Sequence, residues 1–98
     1  MVEIKVGAMT YKIIEQEYFK ASDDDRNLWG LYDYEQQIIY IRESLSDQRK
    51  RQVLTHELTH VMLHEAGYKE QDEELVERFS IVLNQVLIDN FSGINEKN

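Results

Sequence analysis

The chain has 98 residues, of which 42% are hydrophobic and 31% charged, a balance ordinary for a globular domain and a length too short for two. It contains no cysteine, so disulfides and thiolate metal sites are excluded and any metal must sit on His, Asp or Glu. Its 11 basic and 19 acidic side chains give a formal charge of -8, which repels phosphate backbones and anionic lipid and counts against nucleic acid and membrane surfaces as partners.

No apolar run approaches the roughly 20 residues that a membrane-spanning helix needs. The N-terminal residues Met1-Val2-Glu3-Ile4-Lys5 lack the basic region, apolar core and cleavage site of a signal peptide, so a cytoplasmic location is expected. There is no Pro, no Gly/Ser linker and no internal repeat. Residues 1–98 are expected to form a single domain.

Val2, Ile4 and Val6 alternate with Glu3 and Lys5 and predict a first strand, closed by a turn at Gly7-Ala8. Tyr11, Ile13 and Tyr18-Phe19 predict a second extended segment, with Ile14 interrupting strict alternation. The run from Ser22 to Asn27 reads as a polar loop. Trp29 to Tyr34 and Gln37 to Arg42 then flank the polar pair Glu35-Gln36 as a hairpin, with Ile38-Ile39-Tyr40-Ile41 its clearest strand.

Helical signals begin at Ser44 and Asp47, which fit a capping box. Leu54, Leu58, Val61 and Met62 recur at helical spacing as the expected core face, and Gly67 marks the stop. A second helix is predicted from Gln71-Asp72-Glu73 to near Asn90. Its acidic start suits the positive end of the helix dipole. Leu75, Val76, Phe79, Val82, Leu83, Val86 and Leu87 form its apolar face. Strands followed by helices predict an α+β fold, a small antiparallel sheet with two helices packed on it.

The residues that carry chemistry are His56-Glu57-Leu58-Thr59-His60. Positions four apart lie one turn above each other on a helix, so His56 and His60 can offer two imidazole nitrogens to one ion. Glu57 follows His56 by about 100° around the helix, which places its carboxylate beside the metal, where it can take a proton from a metal-bound water. This is the H-E-x-x-H arrangement of zinc peptidases. A chance group of surface residues would show the same letters. Against chance, all three histidines of the chain fall within nine residues, His56 to His64, on a predicted helix with an apolar face. His64 lies about 12 Å along the axis from His56, too far for one ion to share all three rings. It is read as a cation at the helix C-terminus or a group lining the cleft.

A catalytic zinc needs a third protein ligand, and the acids of the second helix supply the candidates. At 100° per residue, Glu73 lies about 40° beyond one edge of the apolar face and Glu77 about 80°, while Glu74 lies about 80° beyond the other. Glu73, at the rim of the packed face, is the favoured ligand; Glu77 is second, followed by Glu74, Asp72 and Glu70.

The sequence resembles the small phage and prophage metallopeptidases of the ImmA/IrrE group. Leu54-Thr55-His56-Glu57-Leu58-Thr59-His60-Val61 is similar to that family's L-x-H-E-h-x-H-h core, where h is apolar. Gly30-Leu31-Tyr32-Asp33 and Ile38-Ile39-Tyr40-Ile41 resemble its G-x-x-D and I-x-I strands. The E-x-x-A-N-x-F-A pattern maps onto Glu73, Val76, Glu77, Phe79 and Ser80, so the resemblance also implies Glu73 as the third zinc ligand. The chain departs from the pattern at Val76, Glu77 and Ser80 and has no L-M-P segment after the helix.

Residues and resemblance together lead to a minimal zincin-like domain acting as a zinc-dependent endopeptidase, a hydrolase of phage type. Zn2+ would be held by His56, His60 and Glu73, with Glu57 as the base that activates a zinc-bound water. Its partner would be a protein or peptide substrate, such as a phage or host regulatory protein, whose backbone could pair with an exposed edge strand. Tyr34, Tyr40, Tyr68 and His64 are the candidate oxyanion donors. The alternative is a zinc-stabilised binding module that holds a protein without cutting it. Glu57 separates the two, because a structural site gains nothing from a base beside the metal.

Overall fold

A computed structural model describes residues 2–17 and 29–92. Tyr18-Phe19 and the polar loop from Ser22 to Asn27 lie outside the described residues. Strand β1 (Val2–Val6) turns at Gly7 into β2 (Met9–Gln16), and β3 (Gly30–Asp33) turns into β4 (Ile38–Arg42). Helices α1 (Asp47–Glu65) and α2 (Glu73–Leu87) follow, the second continued by a π-helical turn over Ile88–Ser92. The fold is α+β, as expected from strands that precede helices.

The strand order is β1-β2-β4-β3. Each hairpin is antiparallel, but β2 and β4 pair in parallel, Ile13 beside Ile39. The sheet is therefore mixed where a purely antiparallel one is expected. Alternation of side chains records which face is buried and carries no information about strand direction. The same face of the sheet carries Ile4, Val6, Tyr11, Ile13, Ile39, Ile41 and Tyr32, which with Val53 and Val61 of α1 make the core. Tyr11, Ile39 and Val61 have no exposed surface. The buried Tyr11 hydroxyl donates to Glu65 Oε2 at 2.7 Å, which satisfies its polar tip inside this apolar layer. Ile14 points to the opposite face, which explains why it interrupts the alternation of β2.

Helix α1 starts one residue after Ser46, whose side chain accepts from the Arg49 backbone N–H at 3.2 Å. Ser46 is thus the cap, and the expected Ser44–Asp47 box is displaced: Asp47 is the first helical residue and Ser44 lies outside the helix. The helix stops at Ala66, and Gly67 takes φ +105°, a left-handed value that its missing Cβ permits.

The burial of α1 departs from a single apolar stripe. Val53 and Val61 enter the sheet core and Leu54 and Leu58 pack beside them, but Met62 is exposed. Thr55, Thr59, Glu57 and His60 are buried instead. Sheet and α2 cover two sides of α1, and the second contact includes buried small polar residues. Thr55 Oγ1 donates to Asn84 Oδ1 at 3.2 Å across the helix pair, and Ser80 is buried. Only Val76 of the apolar face of α2 is fully buried, while Leu75, Phe79 and Val82 are more than half exposed. The expected apolar face exists in sequence, but α1 meets its edge. That offset brings the polar rim carrying Glu73 against His56 and His60.

Candidate metal centre

Three side chains from two helices converge. The ligating atoms of His56, His60 and Glu73 all lie within 4.8 Å of one another. Glu73 Oε1 is 3.2 Å from His56 Nε2 and 3.3 Å from His60 Nε2, and Glu73 Oε2 is 3.2 Å from His60 Nε2. Two ligands about 2.0–2.1 Å from one tetrahedral ion lie about 3.3 Å apart, so the separations of Glu73 from each histidine suit a zinc-sized ion. Two imidazoles and a carboxylate also match the donor chemistry of zinc, and this group can hold a metal. His60 is buried, His56 is half-buried and Glu73 is exposed, which leaves one side open to solvent and substrate.

Local structure explains the convergence. The two histidines are one turn apart on α1, their rings 5.1 Å apart edge to face. Asp72 caps α2 by accepting from the backbone N–H groups of Glu74 and Leu75, so Glu73 is the first helical residue and projects back towards α1. The alternative acids stand elsewhere. Glu74 pairs with Arg78 at 2.9 Å, Asp72 is occupied as the cap, Glu70 is exposed, and Glu77 lines the neighbouring cleft. His64 is outside the group; its ring stacks on Tyr34 with centroids 3.6 Å apart.

Glu57 is buried, with 8% of its surface exposed. Burial pushes its carboxyl from the ordinary 4.5 up to about 7; His60 opposes the rise and the Glu73 carboxylate adds to it. A carboxyl held near neutrality suits exchange of a proton with a reacting group. Gly30 makes room for it. A Cβ there would lie 2.6 Å from Val53 Cγ1 and 3.1 Å from both Cγ and Oε2 of Glu57. The glycine seen as part of a strand motif in the sequence is thus where β3 passes directly over the acid.

His56 and Glu57 open onto a cavity of about 330 Å³ walled by Trp29, Gly30, Arg49 and Glu77. Arg49 lies over the Trp29 ring, 4.8 Å from its centroid. Of the candidate oxyanion donors, Tyr34 has its hydroxyl turned to the His60 carbonyl at 3.4 Å, and burial, with Tyr32 beside it, raises its pKa. Tyr68 is exposed and Tyr40 half-buried.

Sequence reasoning missed Gln71. Its Oε1 is 2.6 Å from His60 Nδ1, on the side of the ring opposite Glu73. Nothing in the local pattern marks a glutamine two residues before an acid, because the contact depends on how the chain between the helices folds back. Trp29 and Arg49 were also unmarked: Trp29 reaches His56 only through packing of the sheet on α1, whereas Arg49 stands two turns before His56 on the same helix face, a spacing that could have marked it.

This combination of a mixed sheet, an H-E-x-x-H helix and a carboxylate from the following helix defines a metallopeptidase-like domain. A peptidase family model, described as the IrrE N-terminal-like domain, matches residues 11–88. The chain belongs to that family. No curated protein and no solved structure matches it. No helix among the described residues is long and apolar enough to cross a membrane.

Proposed function

We infer that the chain is a zinc-dependent endopeptidase whose ion is held by His56, His60 and Glu73. The observation that carries this reading is the buried Glu57 carboxyl, placed one residue after His56 and opening onto the same cavity. When bound, zinc would acidify a water molecule and polarise the scissile carbonyl. Glu57 accepts the proton of the attacking water and returns it to the leaving amine. Burial favours the protonated form of Glu57, which suits return of the proton, while a zinc ion beside it would favour the carboxylate that accepts it. Strand β3, at the edge of the sheet and in contact with Glu57 through Gly30, offers backbone groups along which an extended substrate can lie. Protein substrates follow from the peptidase family; a phage or host regulatory protein remains the proposed type.

Glu57→Gln tests the reading, because it retains size and removes the base. The variant is expected to stay folded and bind zinc as the parent does, yet cleave a substrate found by screening cell extract at least about 10²-fold more slowly. Equal cleavage by the two proteins would refute Glu57 as the base. No cleavage by either, with undiminished binding of a partner, would leave a non-cleaving module.

A further inference from the structure

We propose that Gln71 is a positioning residue that fixes the tautomer of His60 and so directs the Nε2 lone pair at the metal. This inference rests on the zinc reading for its consequence, while its cause lies wholly in this chain's own hydrogen bonds.

The orientation of the Gln71 amide is settled by its surroundings. Its Nε2 is 3.1 Å from the His60 carbonyl oxygen and 3.2 Å from the Tyr68 carbonyl oxygen. Carbonyl oxygens only accept, so the amide NH2 must face them. The amide oxygen is thereby turned to His60 Nδ1 at 2.6 Å. An amide oxygen also only accepts, so Nδ1 must carry the proton. In the neutral ring Nε2 is then left as the acceptor, and it faces Glu73 and His56.

The Tyr34 hydroxyl, 3.4 Å from Gln71 Nε2 and 3.4 Å from the His60 carbonyl, closes the network. Gln71 is itself half-buried, which limits competition from water. One short segment therefore addresses both nitrogens of the same ring: Gln71 accepts from Nδ1–H, and Glu73 stands beside the bare Nε2, where the two acceptors can share a cation, with the cap residue Asp72 between them. The start of α2 sets both the ligand and the proton position of its neighbour. Partners of this type, on the far nitrogen of a ligating histidine, change metal affinity by about 10–100-fold when removed.

The test uses the full chain, with its tautomers read in the metal-free state and its affinity read with zinc alone. Two-bond ¹⁵N–¹H correlation spectra of the neutral histidine rings distinguish the Nδ1–H from the Nε2–H form. Wild type is expected to show His60 as Nδ1–H. Gln71→Met keeps length and removes the acceptor; it should shift His60 towards Nε2–H and weaken zinc about 10–100-fold in competition with a chromophoric chelator. Gln71→Glu loses the donors to the His60 and Tyr68 carbonyls but keeps an oxygen for Nδ1; where it folds it should retain the proton on Nδ1, a rescue that mere space-filling does not give.

An Nε2–H ring in wild type or in Gln71→Glu, or an unchanged tautomer in folded Gln71→Met, overturns the proposal. So does a shifted tautomer with zinc affinity within twofold of wild type. Should Gln71→Met not fold, the wild-type and Gln71→Glu spectra decide. If wild type binds no zinc, the zinc reading fails, whereas the metal-free spectra still judge the part played by Gln71.

Discussion

Glu57 carries a cost that is measurable without substrate. Its carboxyl ionises at an ordinary 4.5 in the unfolded chain and at about 7 when folded, because burial disfavours the charge. A raised acid pKa contributes stability that is full below pH 4.5 and is lost as pH rises to about 7. Across that window the metal-free protein should lose on the order of 3 kcal/mol that Glu57→Gln does not lose. Urea unfolding of both proteins at pH 5 and pH 8 measures the difference; equal slopes with pH would place the cost on another group. At this scale the sequence was informative where chemistry fixes a spacing: His56, Glu57 and His60 need only one helical turn to be read together. Gln71 was not legible, since its partners, His60 and the Tyr68 carbonyl, become neighbours only after the connection between the helices has folded.

The two helices show what periodicity can and cannot report. Seven apolar residues of α2 share the expected face, yet only Val76 is fully buried and Val82 is 58% exposed. Val76→Ala should therefore cost about 2 kcal/mol, from lost burial and the space left behind. Val82→Ala should cost under about 0.5 kcal/mol. Thermal or denaturant unfolding of the two variants distinguishes them, and equal losses would mean that α2 packs on a different face. Beside Val76, the small polar residues Thr55, Thr59 and Ser80 are buried, and a hydrophobic pattern overlooks them. The place of Glu73 at the rim of the face agrees with its approach to His56 and His60, because the rim is where α2 meets α1. The cap of α1 was misplaced by two residues, since both Ser44 and Ser46 precede plausible first turns and only Ser46 has its hydroxyl within reach of Arg49 N–H.

Across the whole molecule, the α+β class was legible from the order of strands and helices, but the parallel pairing of β2 with β4 was not. That pairing sets β4 inside the sheet and leaves β3 at the edge, where Gly30 meets Glu57. The site thus joins both halves of the chain: β3 covers the acid, α1 presents the histidines and α2 supplies the carboxylate. A metal shared between α1 and α2 should also tie the fold together, adding about 4 kcal/mol at a free concentration a thousand times its dissociation constant. We propose that His56, His60 and Glu73 form one zinc centre in which Glu57 and His64 are not ligands. Zinc bound per chain, measured by elemental analysis after equilibration at one buffered free-zinc concentration, tests it most directly. About one zinc is expected in wild type, Glu57→Gln and His64→Ala, and little in His56→Ala or Glu73→Gln; full occupancy in either of the last two would contradict it.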